Sequence, residues 1–96
     1  MQEIVVERSG GAPIAGRSHV GVVASGNAEV LFEPPTGNRL RVTVRTAVDG
    51  FEPVWRAVLE RFSARHDIAA DIEINDYGAT PAMVVLRLEQ ALEEVA

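Results

Sequence analysis

One serine in this chain stands where chemistry could reach it. Ser25 closes the apolar run Gly21-Val22-Val23-Ala24, and Gly26 and Asn27 follow before a second apolar run begins. A tight connection between strands needs positive backbone φ at one or both central positions, which Gly and Asn adopt at the least steric cost. Ser25-Gly26-Asn27 therefore reads as a β-turn, with the hydroxyl in water and no Cβ crowding it from the Gly26 side. An enzyme that must reach that oxygen can do so. Turns of this composition also serve only to turn the chain, so the serine alone leaves both readings open. Other reactive groups are sparse. His19 and His66 are the two histidines, and neither has a companion at catalytic or metal-ligand spacing. His66 reads as a surface residue complementing the dipole at the end of a helix. His19 shares strand parity with Ser25 but lies several residues back, a poor arrangement for a Ser-His pair. With no cysteine there is no thiolate, no disulfide frame and no Cys-based metal site.

The whole chain narrows the classes of function. Its 96 residues, 47% hydrophobic, suit a single domain spanning 1–96 with a real core but little room for a deep catalytic cavity. A module serving other proteins fits better than a self-contained enzyme. The net charge of -5 and pI near 4.9 argue against nucleic acid, since no excess of Arg or Lys is available to neutralise phosphates. The N-terminus, Met1-Gln2-Glu3-Ile4-Val5-Val6-Glu7, lacks a basic region before a long apolar core, and no stretch has the length of a membrane span. A cytoplasmic location without membrane insertion is expected.

Periodicity predicts the elements that position Ser25. Ile4-Val5-Val6 reads as an edge strand closed by the loop Ser9 to Pro13. A second strand runs from Arg17 to Ala24, and a third from Ala28 to Glu33 with Val30 and Phe32 on one face. After the loop Pro34 to Asn38, Leu40, Val42 and Val44 alternate with Arg41, Thr43 and Arg45. The period then becomes helical: Phe51, Val54, Trp55, Val58, Leu59 and Phe62 form one stripe, with Glu52, Arg56 and Glu60 spaced for ion pairs on the opposite side. A fifth strand covers Asp71 to Asn75, Thr80-Pro81 starts a second helix, and Val84, Leu88, Ala91, Leu92 and Val95 stripe it.

The predicted order is β-β-β-β-α-β-α, an α+β two-layer sandwich with a mixed sheet of four to five strands and two helices on one face. Following strand directions puts the Ser25 turn, the Val48-Asp49-Gly50 loop and the Asp76 to Pro81 loop at one end. Both helix N-termini point there, a setting that accommodates an anion joined to Ser25.

Three segments, Val20 to Leu31, Asp71 to Pro81 and Leu86 to Gln90, resemble the acyl carrier (δ) subunit of malonate decarboxylase. A weaker similarity extends to the acyl carrier (γ) subunit of citrate lyase. The resemblance runs from about Arg17 to Glu93 and departs at the N-terminal strand and at Ser63 to Ile68. It implies that Ser25 carries a 2'-(5''-phosphoribosyl)-3'-dephospho-coenzyme A arm through a phosphodiester, with Gly26 shaping the turn. It further implies an acyl-transferase subunit, decarboxylase subunits and a prosthetic-group transferase as partners, and a carrier that performs no bond chemistry itself. Asp76, Tyr77 and Arg87 recur in the resembling pattern. Asp76 and Arg87 are candidates to contact the arm, and a loop cap and a surface cation are the alternatives. A citrate lyase-type carrier, a structural or regulatory subunit without an arm, and a serine hydrolase remain as competing functions.

Overall fold

The alternation that begins at Leu40 is built as one strand of a six-stranded sheet in the computed structural model, which describes residues 1–95. The strands are β1 (Gln2–Ser9), β2 (Ala12–Pro13), β3 (Ser18–Val20), β4 (Ala28–Glu33), β5 (Arg39–Thr46) and β6 (Ile68–Asp76). The helices are α1 (Glu52–Arg65), between β5 and β6, and α2 (Pro81–Val95) after β6. Spatial order is β1-β5-β6-β4-β3, so the last strand in sequence lies in the middle, parallel to β5 and antiparallel to β4. The Pro34 to Asn38 loop must therefore pass the start of β6, and Thr36 donates a hydrogen bond to Asp71 there at 2.7 Å.

Register explains the burial. Val6, Val42, Ile72, Phe32 and Ser18 form one row across the sheet, and Ile4, Val44, Ile74, Val30 and Val20 form the next. Both rows lie on the face that the helices cover, where Trp55, Val58, Leu59 and Phe62 of α1 meet Val84, Leu88, Ala91 and Leu92 of α2. Phe32 and Phe62 pack edge to face across that layer, ring centroids 6.3 Å apart. The opposite face alternates out to water and carries ions: Arg45 pairs with Glu3 and Glu73, Arg39 and Arg41 with Glu7, and His19 with Glu29. Arg45 is held above its ordinary pKa, first by the hydrogen bond and charge of Glu73. Exposed pairs of this kind add little stability.

Several expectations need correction. The element order gains a strand: Ala12–Pro13, read as loop, pairs parallel with Ile68 and Ala69. Pro13 is tolerated because the bonds come from its neighbours, Ala12 N–H to Asp67 O and Ile14 N–H to Ala69 O. The sheet thus has six strands, above the four to five expected, and β6 is longer than Asp71 to Asn75. The second strand is much shorter than Arg17 to Ala24, ending at Val20. The cause is Gly21, whose φ of +90° turns the chain out of the sheet where the backbone passes so close to Ala28 that an added Cβ would lie 2.0 Å from its carbonyl oxygen. Val22 and Val23 consequently leave the sheet and are exposed. The parity that linked His19 to Ser25 disappears with it. In α1 the stripe is narrower than expected, since Phe51 and Val54 are exposed while Trp55 is buried. Glu60 reaches Arg8 of β1, leaving only Glu52 paired with Arg56 along the helix, at 2.9 Å.

Three outcomes are expected. Trp55→Ala empties a site that is 7% exposed and should cost about 3 to 5 kcal/mol, a large share of the stability of a chain this size. The tryptophan emission of the native protein should be blue-shifted and should redden on urea unfolding; free quenching by iodide would contradict burial. Gly21→Ala should cost more than backbone strain alone, which is about 1 to 3 kcal/mol, because the added Cβ would also collide with the Ala28 carbonyl; the cost is read as a lower urea midpoint.

Candidate functional site

The Ser25 end is held together by one buried carboxylate. Asp76, 3% exposed at the end of β6, accepts hydrogen bonds from the Ala79 N–H at 2.9 Å on Oδ1 and from the Thr46 hydroxyl at 2.8 Å on Oδ2. Its own carbonyl accepts from the Ala47 N–H at 3.0 Å, and Thr46 Oγ1 accepts from the Val48 N–H at 3.1 Å. The loop leaving β5 and the loop entering α2 are thus tied to one side chain. The start of α2 is closed separately by Thr80, whose hydroxyl accepts from the Met83 N–H at 3.2 Å, as the Thr80-Pro81 pair leads one to expect.

Next to Asp76, Tyr77 docks the Ser25 loop through its backbone. The Gly26 N–H donates to Tyr77 O at 2.7 Å, and the Tyr77 N–H donates to Asn27 O at 3.0 Å. The turn closes with the Asn27 N–H donating to Ala24 O at 3.0 Å, which puts Ser25 and Gly26 at the two central positions. Gly26 has φ +77° and Ser25 does not have positive φ, the pattern of a type II turn, so the expected β-turn is present. Ser25 itself is exposed, and a Cβ added at Gly26 would meet nothing within 4 Å. The serine therefore sits at an open tip whose C-terminal side is fixed to β6.

Arg87 lies against the other side of this loop's base. Its Nη2 donates to Asn27 Oδ1 at 3.4 Å and its Nη1 to Gln90 Oε1 at 3.2 Å, while its Nε is buried against Gly21 without a partner among the described residues. Seven of the nine arginines have a carboxylate within 4.0 Å, and Arg87 has none among the described residues. Its positive charge is available to an anion near the Ser25 turn.

The histidines are engaged elsewhere. His19 Nε2 lies 2.9 Å from Glu29 on the open sheet face, and His66, which ends α1, lies 2.8 Å from Glu89 and packs on Phe62. His66 is therefore a bridge between helices as well as a helix end. Among the described residues no cluster of three metal-binding side chains forms, and no helix is long and apolar enough to cross a membrane. Sequence reasoning missed an apolar groove at the Ser25 end, about 340 Å³, between the N-terminal parts of α1 and α2. Its lining includes Val48, Phe51, Val54, Trp55 and Val84, with Thr46 and Asp76 as its polar groups. The signal was present as Phe51 and Val54, apolar residues on the edge of the helical stripe.

Comparison with known proteins identifies the family and the fold. The family model described as the malonate decarboxylase delta subunit (MdcD) matches residues 15–95. A malonate decarboxylase acyl carrier protein of Pseudomonas aeruginosa is 48% identical over 95 residues, covering 98% of this chain and 96% of the relative. That of Stutzerimonas stutzeri is 46% identical over 96 residues, covering 99% and 97%. One chain in the crystal structure of a Pseudomonas malonate decarboxylase hetero-tetramer in complex with malonate superposes with a TM-score of 0.93 at 42% identity, covering all of both chains. This chain belongs to the malonate decarboxylase acyl carrier (delta subunit) family.

Proposed function

We propose that this protein carries acyl groups for malonate decarboxylation on a 2'-(5''-phosphoribosyl)-3'-dephospho-coenzyme A arm joined to Ser25 by a phosphodiester. The observation that carries the reading is the open Ser25 tip: an exposed hydroxyl beside a glycine with free space around it, on a loop anchored at both ends. The surrounding residues fit a phosphodiester. Gly26 leaves room for the group, and Arg87, without a carboxylate partner among the described residues, offers charge to it. Asp76 is buried and acts on the serine through the loops that it fixes. When bound, the arm would supply a terminal thiol on which acetyl and malonyl groups are held as thioesters.

Bond chemistry belongs to partners in this reading. Neither histidine serves Ser25 as a base: His19 Nε2 is engaged by Glu29, and His66 lies between the helices against Glu89. An acyl-transferase subunit would exchange acetyl for malonyl, decarboxylase subunits would release carbon dioxide, and a prosthetic-group transferase would install the arm. The hetero-tetrameric assembly of the Pseudomonas relative supports a multi-subunit setting of this kind.

Intact mass of the protein isolated from its native host should show the arm's increment at Ser25, and none in Ser25→Ala. That substitution removes an exposed hydroxyl and should change stability by no more than about 0.5 kcal/mol, while malonate-dependent carbon dioxide release by the reconstituted complex should vanish. Turnover by the folded mutant would overturn the reading. A bare wild-type chain in a complex that is active would instead identify a structural subunit. Arg87→Gln should slow attachment of the arm about tenfold, the effect of losing one charge-assisted contact of about 1.5 kcal/mol, with the urea midpoint nearly unchanged. The rate of mass increment against purified transferase measures it.

A further inference from the structure

The exposed apolar groove between the helix N-termini has no role in attaching anything to Ser25, yet it opens beside that residue. Gly78 lines the groove and lies against the Ser25 turn: a Cβ built on Gly78 would sit 3.9 Å from the Gly26 nitrogen. Neither glycine carries a side chain, so the junction between turn and groove is backbone only. We infer that this groove is a resting site for the uncharged, thiol-bearing end of the arm, an inference that rests on the attachment proposed above.

The chemistry of the walls selects that part of the arm. Val48, Phe51, Val54, Trp55 and Val84 line the groove, and no positively charged side chain does, so phosphates gain nothing by entering. A chain of methylenes, a gem-dimethyl carbon and two amides is matched by apolar walls with a few polar points. Asp76 supplies such a point. Each of its oxygens accepts one hydrogen bond from the protein, from Ala79 and Thr46, and a carboxylate has room for about four, which leaves capacity for an amide N–H. The volume, about 340 Å³, falls in the lower part of the range of about 300 to 1,000 Å³ typical of small-ligand sites.

Tethering decides in favour of the arm over a side chain from a partner. Phe51 is 51% exposed and Val54 42%, apolar surface that an occupant would cover. A ligand attached at the mouth binds intramolecularly, at an effective concentration on the order of millimolar, so weak affinity is enough to fill the groove. The same weakness lets a partner's active site withdraw the thiol. Between visits the groove shields a reactive sulfur, or the thioester on it, from water.

The chain has no cysteine, so the arm's thiol is the only one in the loaded protein. Loaded carrier from the native host is compared with the loaded double variant Phe51→Ser, Val54→Gln, whose positions are exposed and whose folding should be preserved. Alkylation of the wild-type thiol by iodoacetamide should run several-fold slower than that of free coenzyme A, and the variant should recover the free rate. Trp55 emission should differ between loaded and unmodified wild type and coincide in the variant. A loaded wild type that reacts at the free rate with unchanged emission overturns the groove assignment and leaves attachment at Ser25 standing. Protection that persists in the variant also overturns it. A bare mass at Ser25 overturns both readings.

Discussion

The buried carboxylate of Asp76 is the contact on which the functional end depends. A carboxylate out of water needs hydrogen-bond donors, and here they come from the end of β5 and from the loop entering α2. Register makes that possible: Thr46 and Asp76 are partners on adjacent parallel strands, and Ala28, the first residue of β4, is opposite Asp76 on the other side. With Gln2 of β1, which pairs with Thr46, the three residues form the row of the sheet nearest the functional end. Each of the loops that meet there begins or ends within this row. Removing one partner would leave an unpaired buried polar group, more damaging than replacing the pair with apolar residues of the same shape.

Much of this was legible in the sequence. The two-residue period from Leu40 and the helical period from Phe51 were enough to place the layers, although Phe51 and Val54 proved to be exposed, because each period reports which face of an element is buried. Strand directions then placed the Ser25, Val48 and Asp76 loops together, since a crossover and a turn leave few choices. The strand limits were less legible. Val22 and Val23 have the composition of a strand, but the close approach of Gly21 to Ala28 is a tertiary contact that no local pattern carries. Pro13 hid β2 in the same way, because a two-residue parallel pairing depends on the position of Asp67 and Ala69, distant in sequence.

At the site itself the serine, the turn and the helix start at Thr80 could be read locally, since each follows from the backbone preferences of two or three adjacent residues. Asp76 could be singled out but not assigned. A carboxylate standing open in a loop and a carboxylate tying two segments together have the same sequence, and only its burial beside Thr46 shows the second. Arg87 was ambiguous for the opposite reason. Its availability is visible only after seven of the other eight arginines are seen to have carboxylate partners. The groove is a property of two helices that never touch in sequence, so Phe51 and Val54 looked like ordinary core.

The anchoring of the Ser25 loop supports the modified serine proposed above over a nucleophilic one. A nucleophile needs its oxygen held against a base, which would tie the side chain as firmly as the backbone. Here only the backbone is tied. Gly21 fixes one end by its close approach to Ala28, and the hydrogen bonds between Gly26, Asn27 and Tyr77 fix the other, leaving Val22 to Ser25 standing clear. The serine's location is set by the sheet, but its hydroxyl is left free for whatever enzyme closes over the loop. Exposed Val22 and Val23 give such an enzyme apolar surface to grip, and their exposure costs the fold little because the core is complete without them. A tip that is fixed at its root and unconstrained at its oxygen suits the long attachment proposed for it: the root would define where the arm begins, and the arm would supply the reach.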